Sequence, residues 1–280
     1  MKFNLSLFFA LVFSFLFNAC LIIGDSSSED EPQVVTPQNP SQNLVKVPNQ
    51  VAYYEFNGNT KDQSTNGNDC QKFGTTFVAD RFGIDNRAIA FDGVDDYLDC
   101  DTSSILNITG NLTISFWINV EYTDVEDKFY EIICKRLDHS TPHSNTAPFG
   151  INFNPNLVSN GPPIIQWYYS SRNAWSFQVI NKRIPNDSWV HLAFTRKVIE
   201  EDNQTLMTVY WNGKQVGVQK TLSSLPYSSP NAPLLIGQSN NMSIYAGSFF
   251  KGALDEIRIF NKTLSPYEID SLYQKNRVSY

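Results

Sequence analysis

Between residues 51 and 277 apolar and polar side chains alternate in short runs, and nearly every run is closed by Gly, Asn, Asp or Pro. The clearest run is 112–120, where Leu112, Ile114, Phe116, Ile118 and Val120 take every second place. Successive side chains of a strand point to opposite faces, so these residues share one face and predict a strand with a buried side. The same reasoning predicts strands at 51–56, 88–91, 97–100, 130–135, 164–170, 174–180, 189–196, 207–211, 214–220, 234–236 and 252–260. Asn57-Gly58, Asn66-Gly67 and Asp92-Gly93 supply turns, and Asn212-Gly213 is the best hairpin signal. Residues 138–163, rich in Pro, Asn and Ser, read as one long loop, a kind that usually serves function. Only Pro266–Gln274 has helical character. Many short strands, one short C-terminal helix and no strand–helix alternation predict an all-β, two-sheet antiparallel sandwich. Trp117, Trp189 and Trp211 are expected in its core.

The first part of the chain follows another rule. After Lys2, residues 3–17 form an almost unbroken apolar run, short for a membrane span and suited to a secretory signal. It ends Leu16-Phe17-Asn18-Ala19-Cys20, which resembles the bacterial lipobox, although Phe17 and Asn18 stand where that pattern has Leu and a small residue. Residues 1–19 are therefore expected to be a signal peptide and Cys20 to be lipidated, with two acyl chains giving a stable anchor. Residues 20–49 carry the acidic stretch Asp25-Ser-Ser-Ser-Glu-Asp-Glu-Pro32 and then Pro, Gln, Asn and Ser. Such a composition buries little apolar area and reads as a disordered tether. Its acidic start also resembles the surface-export signal of Bacteroidota lipoproteins. The expected place is the cell outer membrane, lipid-anchored and facing outward, with residues 50–277 as one domain of a monomer.

The formal net charge of −7 argues against nucleic acid, whose phosphates demand a basic face. With Cys20 assigned to lipid, Cys70, Cys100 and Cys134 remain, an odd number that leaves at least one unpaired. Cys70 and Cys100 lie near ends of expected strands, so a disulfide between them is one of the open pairings. No Cys/His spacing suggests zinc.

Several strings occur in an order that resembles laminin-G-like jelly rolls of the concanavalin A-like lectin/glucanase superfamily. Tyr53-Tyr54-Glu55-Phe56-Asn57-Gly58-Asn59 is similar to its opening strand, and Asp62-Gln63-Ser64-Thr65-Asn66-Gly67-Asn68 to the loop that follows. Arg81-Phe82-Gly83, Ala90-Phe91-Asp92-Gly93, Thr113-Ile114-Ser115-Phe116-Trp117 and Trp189-Val190-His191-Leu192-Ala193 come next. Tyr210-Trp211-Asn212-Gly213 and Leu254-Asp255-Glu256-Ile257-Arg258 complete the series. The resemblance implies that the first and last strands are neighbours. It also implies a binding role, toward a glycan or an extracellular protein.

Catalysis on such a sandwich needs two carboxylates flanking a scissile glycosidic bond. Asp124, Glu126 and Asp127 fall in a loop-like stretch, and Asp255 and Glu256, as strand neighbours, should face opposite ways. His139 and His143 lie in the long loop, and His191 in a strand. The expectation is a protein without catalytic residues. The superfamily commonly holds Ca²⁺ between its opening turn and closing strand, which the resemblance carries to Asn59, Asp62 and Asp255. The same residue types also close turns through their own backbone, as Asp92, Asp95 and Asp96 are expected to do. For a sugar, rings stack on its C–H faces while amides and charged groups meet its hydroxyls. With Trp167 and Tyr169 in the core, Tyr168 faces outward. Tyr168 and Trp175, with Arg172 and Asn173 at the hairpin tip, are the expected ligand residues.

Overall fold

The computed structural model describes residues 47–121, 129–137, 146–154, 164–171, 174–202, 204–221, 225–239 and 249–275. Contacts divide the chain after Gln42, and the described residues all belong to the second unit, Asn43–Tyr280. The expected signal peptide, Cys20 and most of the tether lie outside the described residues.

The strands are β1 (Gln50–Tyr54), β2 (Gln71–Phe73), β3 (Thr76–Val78), β4 (Ala88–Asp92) and β5 (Tyr97–Asp99). Next come β6 (Leu112–Val120), β7 (Tyr130–Leu137), β8 (Thr146–Asn154), β9 (Ile164–Ser171) and β10 (Ala174–Ile180). The last are β11 (Val190–Ile199), β12 (Gln204–Trp211), β13 (Lys214–Thr221), β14 (Leu234–Ile236) and β15 (Lys251–Phe260), and helix α1 (Pro266–Gln274) follows. All strand ladders are antiparallel. One sheet runs β13-β12-β11-β6-β15-β4-β3 and the other β10-β9-β8-β7-β14-β5-β2. This is the expected two-sheet jelly-roll sandwich.

β15 holds the first sheet together. Along one edge it pairs with β6, and along the other with β4 and then β1. Tyr53 stands opposite Arg258 and Tyr54 opposite Ile257, so the beginning and end of the domain are neighbours. Leu112, Ile114, Phe116, Ile118 and Val120 all enter the core between the sheets, as their alternation requires. There Trp167 meets Phe194 edge to face at 5.6 Å, a favoured ring arrangement. Arg196 is also buried, and its guanidinium donates to the carbonyls of Gly110 (2.9 Å), Pro148 (2.7 Å) and Ile108 (2.7 Å). Burial lowers its pKa to about 9.

Three expectations change. The supposed loop 138–163 contains β8, an interior strand of the second sheet. Ala147, Phe149, Ile151 and Phe153 alternate inward, but Pro148, Gly150 and the Asn residues hide the pattern. Pro148 is tolerated because pairing with β7 slips there, leaving its missing N–H out of the ladder. Trp117 is buried but on the outer face of the first sheet, between cross-strand partners His191 and Asp255. Trp189 is only half-buried, just before β11; Trp211 is in the core as expected.

Cys70 and Cys100 form a disulfide at one end of the β2–β5 pair, beside the Gln71–Asp99 match. Cys134 stands outside the bridge, buried, with its Sγ 3.6 Å from the Gln238 carbonyl. α1 starts with a capping box in which Ser265 and Glu268 satisfy each other's backbone N–H, and Pro266 opens the helix. Ile269 and Leu272 of the helix, with Leu264 just before it, pack on Ala193, Tyr210 and Phe260, covering part of the first sheet's outer face.

Candidate ligand-binding face

The residues matched to a cation site are committed elsewhere. Asp62 Oδ1 accepts the backbone N–H groups of Tyr53 (2.9 Å) and Ser64 (2.8 Å). Its Oδ2 accepts the Ser64 hydroxyl (2.8 Å) and both the backbone N–H and the amide of Asn68 (2.9 Å each). Donors therefore surround this carboxylate, which organises a loop rather than a hard-cation shell. Asn59 closes its own turn, donating to the Asn57 carbonyl (2.9 Å) and accepting from Lys61 N–H (3.0 Å). Asp255 faces a guanidinium. The three do not fit a calcium cage. Asp92, Asp95 and Asp96 do converge, with ligand oxygens within 4.8 Å of one another. Their hydrogen bonds are those of a tight turn, Asp92 Oδ1 accepting Val94 N–H and Asp96 Oδ2 accepting Asp92 N–H.

The family-like strings meet at one buried cluster on the outer face of the first sheet. Pairing of β15 with β6 slips between Asp255 and Arg258, and Glu256 takes a left-handed φ of 47°. That bulge turns both carboxylates onto Arg81, with Asp255 Oδ2–Nη1 at 2.7 Å and Glu256 Oε1–Nη2 at 2.9 Å. The expectation that they face opposite ways fails because alternation holds only in an unbroken strand. Arg81 lies 4.5 Å from the ring centroids of both Phe82 and Trp117. Arg258 bonds Glu256 at 3.2 Å and lies 3.5 Å over the Tyr53 ring. Burial, then Glu256, pushes the Asp255 carboxyl up to about 8 against the pull of Arg81. Burial alone would raise Glu256, but Arg258 and Arg81 outweigh it and hold that carboxyl below the ordinary range.

Ser115 Oγ and His191 Nε2 lie 2.8 Å apart in the same cluster, a contact that no sequence spacing announces. His191 is closed off beneath Trp117 and Tyr273. Burial holds its imidazole far below the usual range, at about 3. The pair is a neutral structural contact without access for a substrate.

The second sheet offers a different outer face. Trp167 and Tyr169 are core, so Tyr168 does point the other way, as expected. It does not stand free, however: it is 2% exposed and its hydroxyl donates to Glu131 Oε1 at 2.6 Å. The ring lies across Gly150, where a Cβ would collide with it. Glycine in a strand interior often marks such a close approach. The register sets Gly150, Tyr168 and Phe177 in one row, and Glu131, Asn152, Gln166 and Val179 in the next. Phe177 and Val179 are 37% and 39% exposed, large values for apolar side chains. Trp175 is paired with Ser170, which places its backbone two residues along β10 from Phe177. Arg172, Asn173 and the Trp175 side chain lie outside the described residues, as do Asp124, Glu126 and Asp127. Glu131, Asn152, Gln166, Phe177 and Val179 were not singled out from the sequence. The alternation of 146–154 is the signal that points to Asn152, and Pro148 and Gly150 obscured it. A further groove of about 710 Å³ lies on the first sheet beside the start of α1, floored by Thr195 and Thr208 and walled by Leu206 and Val218.

Two antiparallel sheets stacked around one apolar core, with the closing strand joining both ends of the domain, define a concanavalin A-like jelly roll. The Laminin_G_3 model, described as the concanavalin A-like lectin/glucanases superfamily, matches residues 92–270, more than half of the chain, and the chain belongs to this family. No curated protein matches it. Among solved structures it is similar to domain 4 of AbnA, a GH43 extracellular arabinanase from Geobacillus stearothermophilus, in complex with arabinotriose. That match has 22% identity and a TM-score of 0.56, covering 80% of this chain and 98% of the other. The binding domain of Paraclostridial Mosquitocidal Protein 1 matches at 19% identity and TM-score 0.60, covering 82% of this chain and 53% of that one. The botulinum neurotoxin serotype G binding domain matches at 14% and 0.58, covering 80% and 50%. The chain thus spans about half of each toxin domain. At these identities the likeness shows the fold.

Proposed function

We propose that this protein is a non-catalytic binding module that takes a glycan on the outer face of its second sheet. The observation that carries the reading is the pairing of half-exposed Phe177 and Val179 with the Tyr168–Glu131 hydrogen bond beside them. An apolar wall next to a few fixed polar groups is the usual composition of a small-molecule site. Glu131 is the one carboxylate on β7, β8, β9 and β10. Glycosidic hydrolysis needs two, which favours binding over turnover. The arabinotriose complex of the AbnA domain agrees with a sugar ligand for this fold. The apolar leader and Cys20 favour a lipid anchor in the outer membrane, with the domain held outward on its acidic tether.

The test is a glycan array followed by calorimetry on the purified protein. Phe177→Ala is expected to weaken binding at least tenfold with an unchanged melting temperature. Undiminished binding in Phe177→Ala, or its loss instead in Val218→Asp at the other groove, rejects this face. Release of reducing ends from a bound polysaccharide rejects the non-catalytic role.

A further inference from the structure

We infer that the groove beside α1 is a second saccharide site, on the side of the sandwich away from Phe177 and independent of the face proposed above. Its floor supplies the first argument. Strand pairing sets Thr195 opposite Thr208 and Ala193 opposite Tyr210. All four are on the outer face of the first sheet, because the intervening Leu192, Phe194, Met207 and Val209 enter the core. Thr195 is 2% exposed, Thr208 5% and Tyr210 4%, and all three line the groove. Among the described residues none of their hydroxyls has a hydrogen-bond partner, yet none is sealed from the surface.

The other threonines around the groove behave differently. Thr113 stands beside Thr195 in the same row. It donates to the Lys262 carbonyl (2.7 Å) and accepts Leu264 N–H (2.9 Å), and Thr263 donates to the Arg196 carbonyl (2.6 Å). Those hydroxyls hold the segment before α1 in place, whereas the Thr195 and Thr208 hydroxyls hold nothing. Buried polar groups are nearly always bonded, so hydroxyls left unmet at the bottom of an open groove require partners from outside.

The lining selects the class of ligand. Each hydroxyl offers one donor and an acceptor, the combination that sugar hydroxyls return. Half-buried Leu206 and exposed Val218 form an aliphatic wall against which the C–H face of a sugar ring can lie. A lipid chain or an apolar peptide would cover that wall and leave the three hydroxyls buried and unbonded. Lys262 and Glu268 satisfy each other at 2.6 Å, so hydroxyls outnumber free charge in the lining. The volume of about 710 Å³ is that of a small-molecule site. The consequence is bivalence: the two outer faces look away from each other, so one domain would hold two glycan chains at once.

Calorimetry of the purified protein with arabino-, xylo-, manno- and galacturono-oligosaccharides tests this. In Phe177→Ala, which removes the wall on the second sheet, at least one of them is expected to bind at one site per chain. Thr195→Val with Thr208→Val keeps the strand-forming shape and removes both hydroxyls; added to Phe177→Ala, it is expected to weaken that binding at least tenfold. Should this variant fold poorly, Val218→Asp, at an exposed position, is expected to show a loss in the same direction. Unchanged affinity in the threonine variant overturns the inference. So does the loss of all binding in Phe177→Ala alone, and the face proposed above then stands by itself. A single site that survives Phe177→Ala and is lost with the two threonine hydroxyls upholds the inference and overturns that face. Binding of no saccharide by any form overturns both.

Discussion

Arg81 and Asp255 are 174 residues apart in sequence, yet Nη1 and Oδ2 are 2.7 Å apart. The contact ties the loop before β4 to the bulge of the closing strand, and Glu256 makes it a two-carboxylate clamp. Removing Arg81 leaves the buried Asp255 carboxyl without its donor and Glu256 with Arg258 alone. Arg81→Met is therefore expected to cost about 3–5 kcal/mol of unfolding free energy in urea titrations. A loss below about 1 kcal/mol would show the clamp to be no stronger than a surface pair.

The same cluster shapes the dependence of stability on pH. His191 titrates at about 3 in the folded protein against an ordinary 6.5, so the unfolded chain takes up a proton first as pH falls from 6.5 toward 3, and stability is lost on that side. Asp255 works in reverse. Its folded value of about 8 lies above the ordinary 3.8, so its contribution is full below 3.8 and lost as pH rises toward 8. Between 3.8 and 6.5 the two slopes oppose each other, and above 6.5 only Asp255 continues. Stability measured by urea is expected to be level through the middle of this range and then to fall by about 1 kcal/mol between pH 6.5 and 8. In Asp255→Asn that fall should vanish, and its persistence would assign it to another group.

The Cys70–Cys100 bridge closes a sequence separation of 30 residues at the β2–β5 edge. Chain-entropy arguments give about 3–4 kcal/mol for a loop of this size. Cys70→Ser with Cys100→Ser is expected to lose that much, and reductant should lower the melting temperature of the native protein by a matching amount. A melting temperature indifferent to reductant would contradict this.

Asp62 is held by N–H and O–H donors and Asp255 by a guanidinium, so calcium at that place is expected to add no stability. A ligand of the native state raises the melting temperature by mass action. Melting curves in saturating calcium and in saturating chelator should superimpose. A chelator-induced drop that Asp62→Asn abolishes would restore the cation site. Asp62→Asn itself is expected to destabilise by roughly 1–3 kcal/mol in urea, because an amide cannot accept from all the donors around it.

Local pattern made much of the architecture legible. Strand 112–120 and helix Pro266–Gln274 were readable to the residue, since strict alternation and a Ser-Pro-x-Glu start are signals carried by neighbouring positions. β8 was not legible, because Pro148 and Gly150 look like loop punctuation. Their use is set by partners elsewhere, a slipped ladder with β7 and the Tyr168 ring. Tyr168 was read correctly as turned away from the core. That Glu131 would bind it could not be read, because their contact crosses two strand pairings.

The sequence by itself determined the all-β class and the strand rhythm, because each rests on alternation and turn chemistry within a few residues, while the closing strand's place beside the first was implied by the resemblance to a family. Only the tertiary structure decided that Asp255 and Glu256 share one arginine, that Ser115 meets His191, and that the Asn152 Oδ1 is buried without a hydrogen-bond partner. Those facts depend on bulges and strand registers, which bring distant residues together by geometry that no local pattern encodes.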